Sequence, residues 1–252
     1  MNARKLIGIL PKGIKEVIHQ KYYEHKFKKA RQSDEVELEI LSTLIGKGQC
    51  AADVGANYGL YTKFLSAMAG PGGSVHSFEP IEKTFRALHH NVKRFGLGNV
   101  TTYKLALSDK SGSAHMEVPR YESGGENLYE AHISEDSKKE GEEVQTDTLD
   151  QVLNGVKLDF IKCDVEGHEL QVMKGAVEHL KSDRPLLMLE INAGLESRSS
   201  QPLLDFLADL GYRPFIPGPE GISVIDQKYS GVNYFFLNEE HQRDFMPSRP
   251  QP

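Results

Sequence analysis

Five residues in the first third of the chain have the types and spacing of a ligand-binding turn. In "AADVGANYGLYTKFLSAMA" (51–69) a run of small apolar residues ends in Asp53, Gly55 and Gly59 follow with Asn57 between them, and a helical pattern begins at once. A strand, a glycine turn and a helix N-terminus together let backbone approach a ligand closely. The pattern is not G-x-G-x-x-G, and a carboxylate at the strand end repels a pyrophosphate. It suits a ligand with positive charge, and S-adenosylmethionine carries both an ammonium and a sulfonium. Glu79 in "HSFEP" ends the next strand-like run, where an acid accepts hydrogen bonds from ribose hydroxyls and rejects a 2′-phosphate.

A second constellation lies further on. "IKCDVEGHE" puts Asp164, Glu166 and His168 at the carboxyl end of another strand-like run, and Glu190 with Asn192 ends the next. In an open α/β sheet ligands bind outside those ends. If a hydroxyl reacts here it must lose its proton, and His168 is the favoured base because its ordinary pKa is nearest neutral. Asp164 is left to hold the ligand's ammonium or the reacting partner, and Glu166 to orient that partner. Asp164, Glu166 and Glu190 offer oxygen ligands for a divalent ion; without a dense run of ligands, a site free of metal is the expectation.

Positioning these residues takes a parallel sheet. "QCAADV", "SVHSFE", "VTTYKLAL", "LDFIKCDV" and "PLLMLEI" read as strands, and "LYTKFLSAMA", "IEKTFRALHHNVKRF", "ELQVMKGAVEHL" and "QPLLDFLADLG" as helices between or after them. Alternation of this kind predicts a sheet covered on both faces. "YRPFI" and "GVNYFFLN", separated by "PGPEG", predict an antiparallel pair at the sheet edge. "SDEVELEILSTLIGKG" (33–48) predicts a helix feeding the first strand. Cys50 and Cys163 fall in apolar runs, about two residues out of register on adjacent strands, and read as core thiols rather than a disulfide.

These blocks resemble the FkbM family of methyltransferases: "DVGANYGLYT", "FEPIEKTFRALHHNV", "NVTTYKLALSD", "VQTDTLD", "DFIKCDVEGHELQVMKGA" and "PLLMLEI" occur in order over residues 33–237. The resemblance implies a class I methyltransferase (Rossmann-like) α/β fold, with a seven-stranded, mostly parallel sheet, helices on both faces and an antiparallel last strand. It also implies S-adenosylmethionine as methyl donor and a hydroxyl on a sugar, glycan, glycolipid or secondary metabolite as acceptor. Carried over by position, Asp53, Gly55, Asn57, Gly59, Tyr61 and Thr62 surround the methionine part. Glu79 takes the ribose, Pro80 and Ile81 lie near the adenine, and Ala106, Leu107 and Ser108 border it from the other side. N-methylation and a non-catalytic S-adenosylmethionine-binding module are the alternatives. A nicotinamide oxidoreductase is disfavoured by the missing G-x-G-x-x-G and Tyr-x-x-x-Lys.

The remaining segments are read by charge. Residues 1–32 form a basic helical arm: up to residue 31 there are nine Lys/Arg against Glu16 and Glu24, within a chain of net charge −6. Ile7, Leu10, Ile14, Val17 and Ile18 recur there at roughly helical spacing, which predicts a helix that packs on the domain or touches anionic lipid. The methyltransferase domain runs over 33–240 and a tail over 241–252. Within the domain, 119–143 carries eight acids against three basic residues and a Gly pair, and is expected to be an insertion or lid over a small-molecule or glycan acceptor. No nucleic-acid footprint appears in the main body. No apolar run spans a membrane, no secretory signal opens the chain, and both cysteines suit a reducing compartment, so a cytoplasmic location is the expectation.

Overall fold

The computed structural model describes residues 11–121, 126–134, 141–218, 221–226 and 228–245. The chain opens with helix α1 (Lys12–Lys29), a 3-10 turn (Gln32–Asp34) and α2 (Val36–Leu44), then β1 (Cys50–Val54), α3 (Leu60–Ala69), β2 (Ser74–Phe78), α4 (Glu82–Arg94) and β3 (Val100–Tyr103). Four short strands follow: β4 (Ala106–Leu107), β5 (Gly112–Glu117), β6 (His132–Ser134) and β7 (Gly141–Asp147). The chain closes with α5 (Leu149–Val152), β8 (Phe160–Cys163), α6 (Glu169–Lys174), α7 (Val177–Ser182), β9 (Leu186–Glu190), α8 (Gln201–Asp209), β10 (Arg213–Gly218), β11 (Gly221–Ser223), β12 (Asn233–Leu237) and α9 (Glu239–Phe245).

The main sheet has the order β11-β10-β12-β9-β8-β1-β2-β3. Strands β3, β2, β1, β8 and β9 are mutually parallel, and β12 runs antiparallel between β9 and β10. The expected seven strands are therefore present, the last one antiparallel, and β11 adds an eighth along the outer edge. Side chains alternate between two cores: Ala52, Val54, Ile161, Leu187 and Leu189 on one face, Ala51, Phe160, Leu186 and Met188 on the other. Burial on both faces explains why these strands read as continuous apolar runs.

Three expectations are corrected. "VTTYKLAL" is two strands: β3 closes one edge of the main sheet, whereas β4 leaves it to pair with β7 in a second sheet of order β4-β7-β5-β6. Ala106 then packs with Met116 and Val144 while Leu107 joins the main core, so two cores pull the run apart. The segment 119–143 is accordingly part strand; its residues 122–125 and 135–140 lie outside the described residues. Val54, not an earlier residue, is the register partner of Cys163, which puts the cysteines four residues out of register rather than two. Both are buried free thiols.

The helix after the arm starts at Val36, because Ser33 and Asp34 belong to the 3-10 turn, where the Asp34 carboxylate accepts from the Arg31 backbone N–H at 2.8 Å. The arm itself packs on the domain. Tyr23 stacks on Tyr58 and Phe27 on Phe95, both inner rings being almost fully buried. Ile7 and Leu10 lie outside the described residues, as do residues 246–252 of the tail. No helix among the described residues is long and apolar enough to cross a membrane.

Candidate active site

Register explains the polar floor of the site. Asp53 pairs with Lys162 across β1 and β8, and Cys163 with Leu189 across β8 and β9. With a side-chain period of two, Asp53, Lys162, Asp164 and Glu190 project from neighbouring parallel strands to one face. The Lys162 Nζ lies 3.7 Å from Asp53 Oδ1 and 3.2 Å from Asp164 Oδ2, and donates to the Gly55 carbonyl at 3.1 Å. The side chain is only 4% exposed. Burial alone would favour its neutral form, but the two carboxylates outweigh it and push its pKa up, so it stays an ammonium.

The glycine turn follows from close packing. Gly55 has φ +75°, and a Cβ there would collide with the Asp164 carbonyl oxygen. Gly59, at φ +96°, would press a Cβ to 2.8 Å from Leu88. The glycines thus bring strand ends and helix α4 together, and Asn57 takes the left-handed conformation between them, at φ +49°.

Over this floor lies a cavity of about 400 Å³. Gly55, Asn57, Tyr61, Glu79, Pro80 and Asp164 line it, together with Glu166 and His168. Asp53, Gly59, Thr62 and Ser108 stand behind its wall. Asp53 is fully buried, with Oδ2 accepting from the Thr62 hydroxyl at 2.5 Å, and Thr62 reaches on to Ser77. Lys162 faces the charge of Asp53, and the carboxylate sits beneath the turn, held by Thr62, rather than on the cavity wall. Ser108 lies 2.9 Å from His168 Nε2.

At the second strand end, Glu79 Oε1 accepts from the Ile81 N–H and the Thr84 hydroxyl, and Oε2 from the Asn57 N–H. Burial nevertheless pushes its pKa up to about 7. Around the rim, Asp164, Glu166 and Glu190 bring carboxylate oxygens within 4.8 Å of one another. Burial and then neighbouring acids, Asp164 first, raise both Glu166 and Glu190 to about 7. Asn192 donates to Glu166 Oε2 at 2.9 Å. A second concavity shares Glu166 and Glu190 and is walled by Pro119, Glu130, His132 and Asn192. Burial lowers the pKa of His168, which holds the ring neutral at pH 7.

Two residues escaped the sequence reading. Lys162 had a signal, a lysine inside the apolar run "FIKC", but only register shows its partner. Lys26 comes from α1: its Nζ donates to the Tyr129 hydroxyl at 2.8 Å, is 5.2 Å from the Tyr58 ring centre, and lines the cavity. Nothing local to the arm indicates that contact.

Residues 53–214 match the model of the methyltransferase FkbM domain. The chain belongs to the FkbM methyltransferase family. Among its relatives is hexuronic acid methyltransferase AglP of Haloferax volcanii, 31% identical over 152 residues that make up 60% of this chain and 59% of that protein. A Beauveria bassiana protein named Methyltransferase 1 is 25% identical over 49% of this chain and 56% of its own length. The chain thus spans under three-fifths of these curated relatives. The crystal structure of methyltransferase FkbM from Methylobacillus flagellatus shares the fold, with TM-score 0.50, 16% identity, and coverage of 89% of this chain and 59% of that one.

S-adenosylmethionine is the methyl donor of this family, and the cavity suits it. Asn57 Oδ1 is a buried acceptor without a partner among the described residues. Glu79 Oε2 keeps a lone pair beyond the bond from Asn57, and Ile81, Leu105 and Leu107 give an apolar wall for a base. The donor supplies a methyl group activated on a sulfonium. The protein's part would be to hold the partners in line and exclude water.

Proposed function

We propose that the chain is an S-adenosylmethionine-dependent O-methyltransferase acting on a sugar hydroxyl. The observation that carries this reading is the acid-rimmed concavity adjoining the donor cavity, joined to it by Glu166 and Glu190. Asn57, Glu79, Pro80 and Tyr61 would hold the donor, with Gly55 and Gly59 shaping the turn. The carboxylates accept hydrogen bonds from vicinal hydroxyls, as sugars offer. AglP is named for a hexuronic acid, which supports a sugar as acceptor class; an ionised uronate here would face Asp164, Glu166 and Glu190, so a neutral sugar fits better.

As proton acceptor the geometry favours Glu166 over His168. Glu166 borders both cavities with a pKa near neutrality, whereas His168 Nε2 is engaged by Ser108 and its basicity is lowered. Asp164, fixed by Lys162, is assigned to orient the reacting groups. Pro119, Glu130 and His132, from the segment 119–143 read as a lid, wall the acceptor side.

The test is methyl transfer from labelled S-adenosylmethionine to a panel of neutral sugars, uronates and amines, with Glu166→Gln beside the wild type. A loss of about a hundredfold in transfer, with S-adenosylhomocysteine affinity kept, is expected. Wild-type rate should fall about tenfold per unit below pH 7, as the base protonates. Full activity of Glu166→Gln on a hydroxyl would refute the assignment; transfer only to amines would favour N-methylation. Carboxylate oxygens within 4.8 Å of one another also suit a divalent cation. Loss of transfer in EDTA, restored by magnesium, would replace the base reading with a metal-assisted one.

A further inference from the structure

Helix α1 presents two unlike faces. Tyr23 and Phe27 are buried against the domain, whereas Ile14, Val17 and Ile18 point outward at 49%, 59% and 36% exposure. At 3.6 residues per turn, these three share an arc of about 100° with Lys21, His25 and Lys28. The helix's acids turn the other way: Glu16 reaches Arg86 at 3.6 Å, and Glu24 reaches His90 at 3.4 Å and Arg94 at 3.8 Å, all on α4. Lys21 also touches Glu24, yet its side chain remains 71% exposed. The outward face is therefore apolar at its start and basic along the rest, with the exposed Tyr22 at its border.

We infer that this face docks on an anionic lipid bilayer, with Ile14, Val17 and Ile18 entering the headgroup boundary and Lys21, Lys28 and Lys29 lying over acidic headgroups. Such a division of apolar and cationic residues is what an interfacial helix needs. A second copy of the chain fits less well. Three aliphatic side chains and a tyrosine fall far short of the roughly 800 Å² per partner of a stable interface, and a two-fold contact of this face with itself would oppose lysine to lysine. Lys26, about 12 Å further along the helix than Ile18, lines the donor cavity from the inner side, so docking would hold the cavity beside the bilayer.

The test is co-sedimentation of the full chain with vesicles of phosphatidylcholine alone or with 30% phosphatidylglycerol, for the wild type, Ile14→Ser/Val17→Ser/Ile18→Ser and Lys21→Gln/Lys28→Gln. Every substituted position is exposed, and unchanged thermal unfolding would verify the fold. The wild type should bind only the anionic vesicles. The lysine pair should weaken binding about twenty-fivefold, at roughly fivefold per cation, and the triple variant at least as much. No wild-type sedimentation with anionic vesicles, or equal sedimentation of the triple variant, would overturn the inference. So would a wild-type dimer in gel filtration that the triple variant turns into a monomer, which would assign the face to a second copy.

Discussion

Replacing Glu79 by Gln separates what its burial costs from what its charge binds. Burial raises the carboxyl from 4.5 to about 7. Between those values the folded protein keeps a proton that the unfolded chain has released. Stability is therefore complete below pH 4.5, falls as pH rises, and levels off above pH 7. At about 1.4 kcal/mol per pH unit, this one group costs about 3 kcal/mol at pH 8. Gln carries no such titration, although it sets an amide near the Asn57 N–H and so loses a constant amount. Urea unfolding of both proteins at pH 5, 6, 7 and 8 isolates the effect, because other groups titrate alike in each. The stability of the wild type minus that of the variant should fall by about 2.5 kcal/mol from pH 5 to pH 8. At pH 8, S-adenosylhomocysteine should bind Glu79→Gln roughly ten- to a hundredfold more weakly, for loss of an ionised acceptor to ribose hydroxyls. Parallel stability curves together with unchanged affinity would refute both the buried carboxylate and its role toward the donor.

Lys162→Met should destabilise by about 3–5 kcal/mol at pH 8, because it leaves Asp53 buried without a counter-charge; thermal unfolding measures this, and the deficit should shrink toward pH 4, where Asp53 can protonate. Phe27→Ala should cost about 3 kcal/mol in urea unfolding and weaken S-adenosylhomocysteine binding, since α1 carries Lys26 to the cavity wall. Gly55→Ala should abolish donor binding in calorimetry, because both its φ and the Asp164 carbonyl oppose a Cβ; binding equal to the wild type would mean that the turn is not the donor's seat.

Much of this arrangement can be read from residue order. Buried parallel strands alternate with helices, and each strand end announces its polar residue: Asp53, Glu79, Asp164 and Glu190. What a strand end faces is another matter, because it depends on register. Asp53 looks like a partner for a cationic ligand until Lys162 is seen opposite it on β8. The second sheet is hidden because Ala106–Leu107 and His132–Ser134 are too short to show a period. Lys26 is hidden because 103 residues separate it from Tyr129, and no local pattern encodes a contact across that distance. His168 shows the same limit: its ordinary pKa recommends it as a base, but its burial and its contact with Ser108 are set by the fold and are not written in the sequence around it.

The most direct measurement is to incubate the protein with S-adenosylmethionine labelled in its methyl group and a panel of neutral and uronate-containing oligosaccharides, then treat the products with alkali. Transfer of label that survives alkali, as a methyl ether does, is the predicted result. Label released by alkali would place the methyl group on a carboxylate, and no transfer to any sugar would contradict the assignment of a sugar hydroxyl as acceptor.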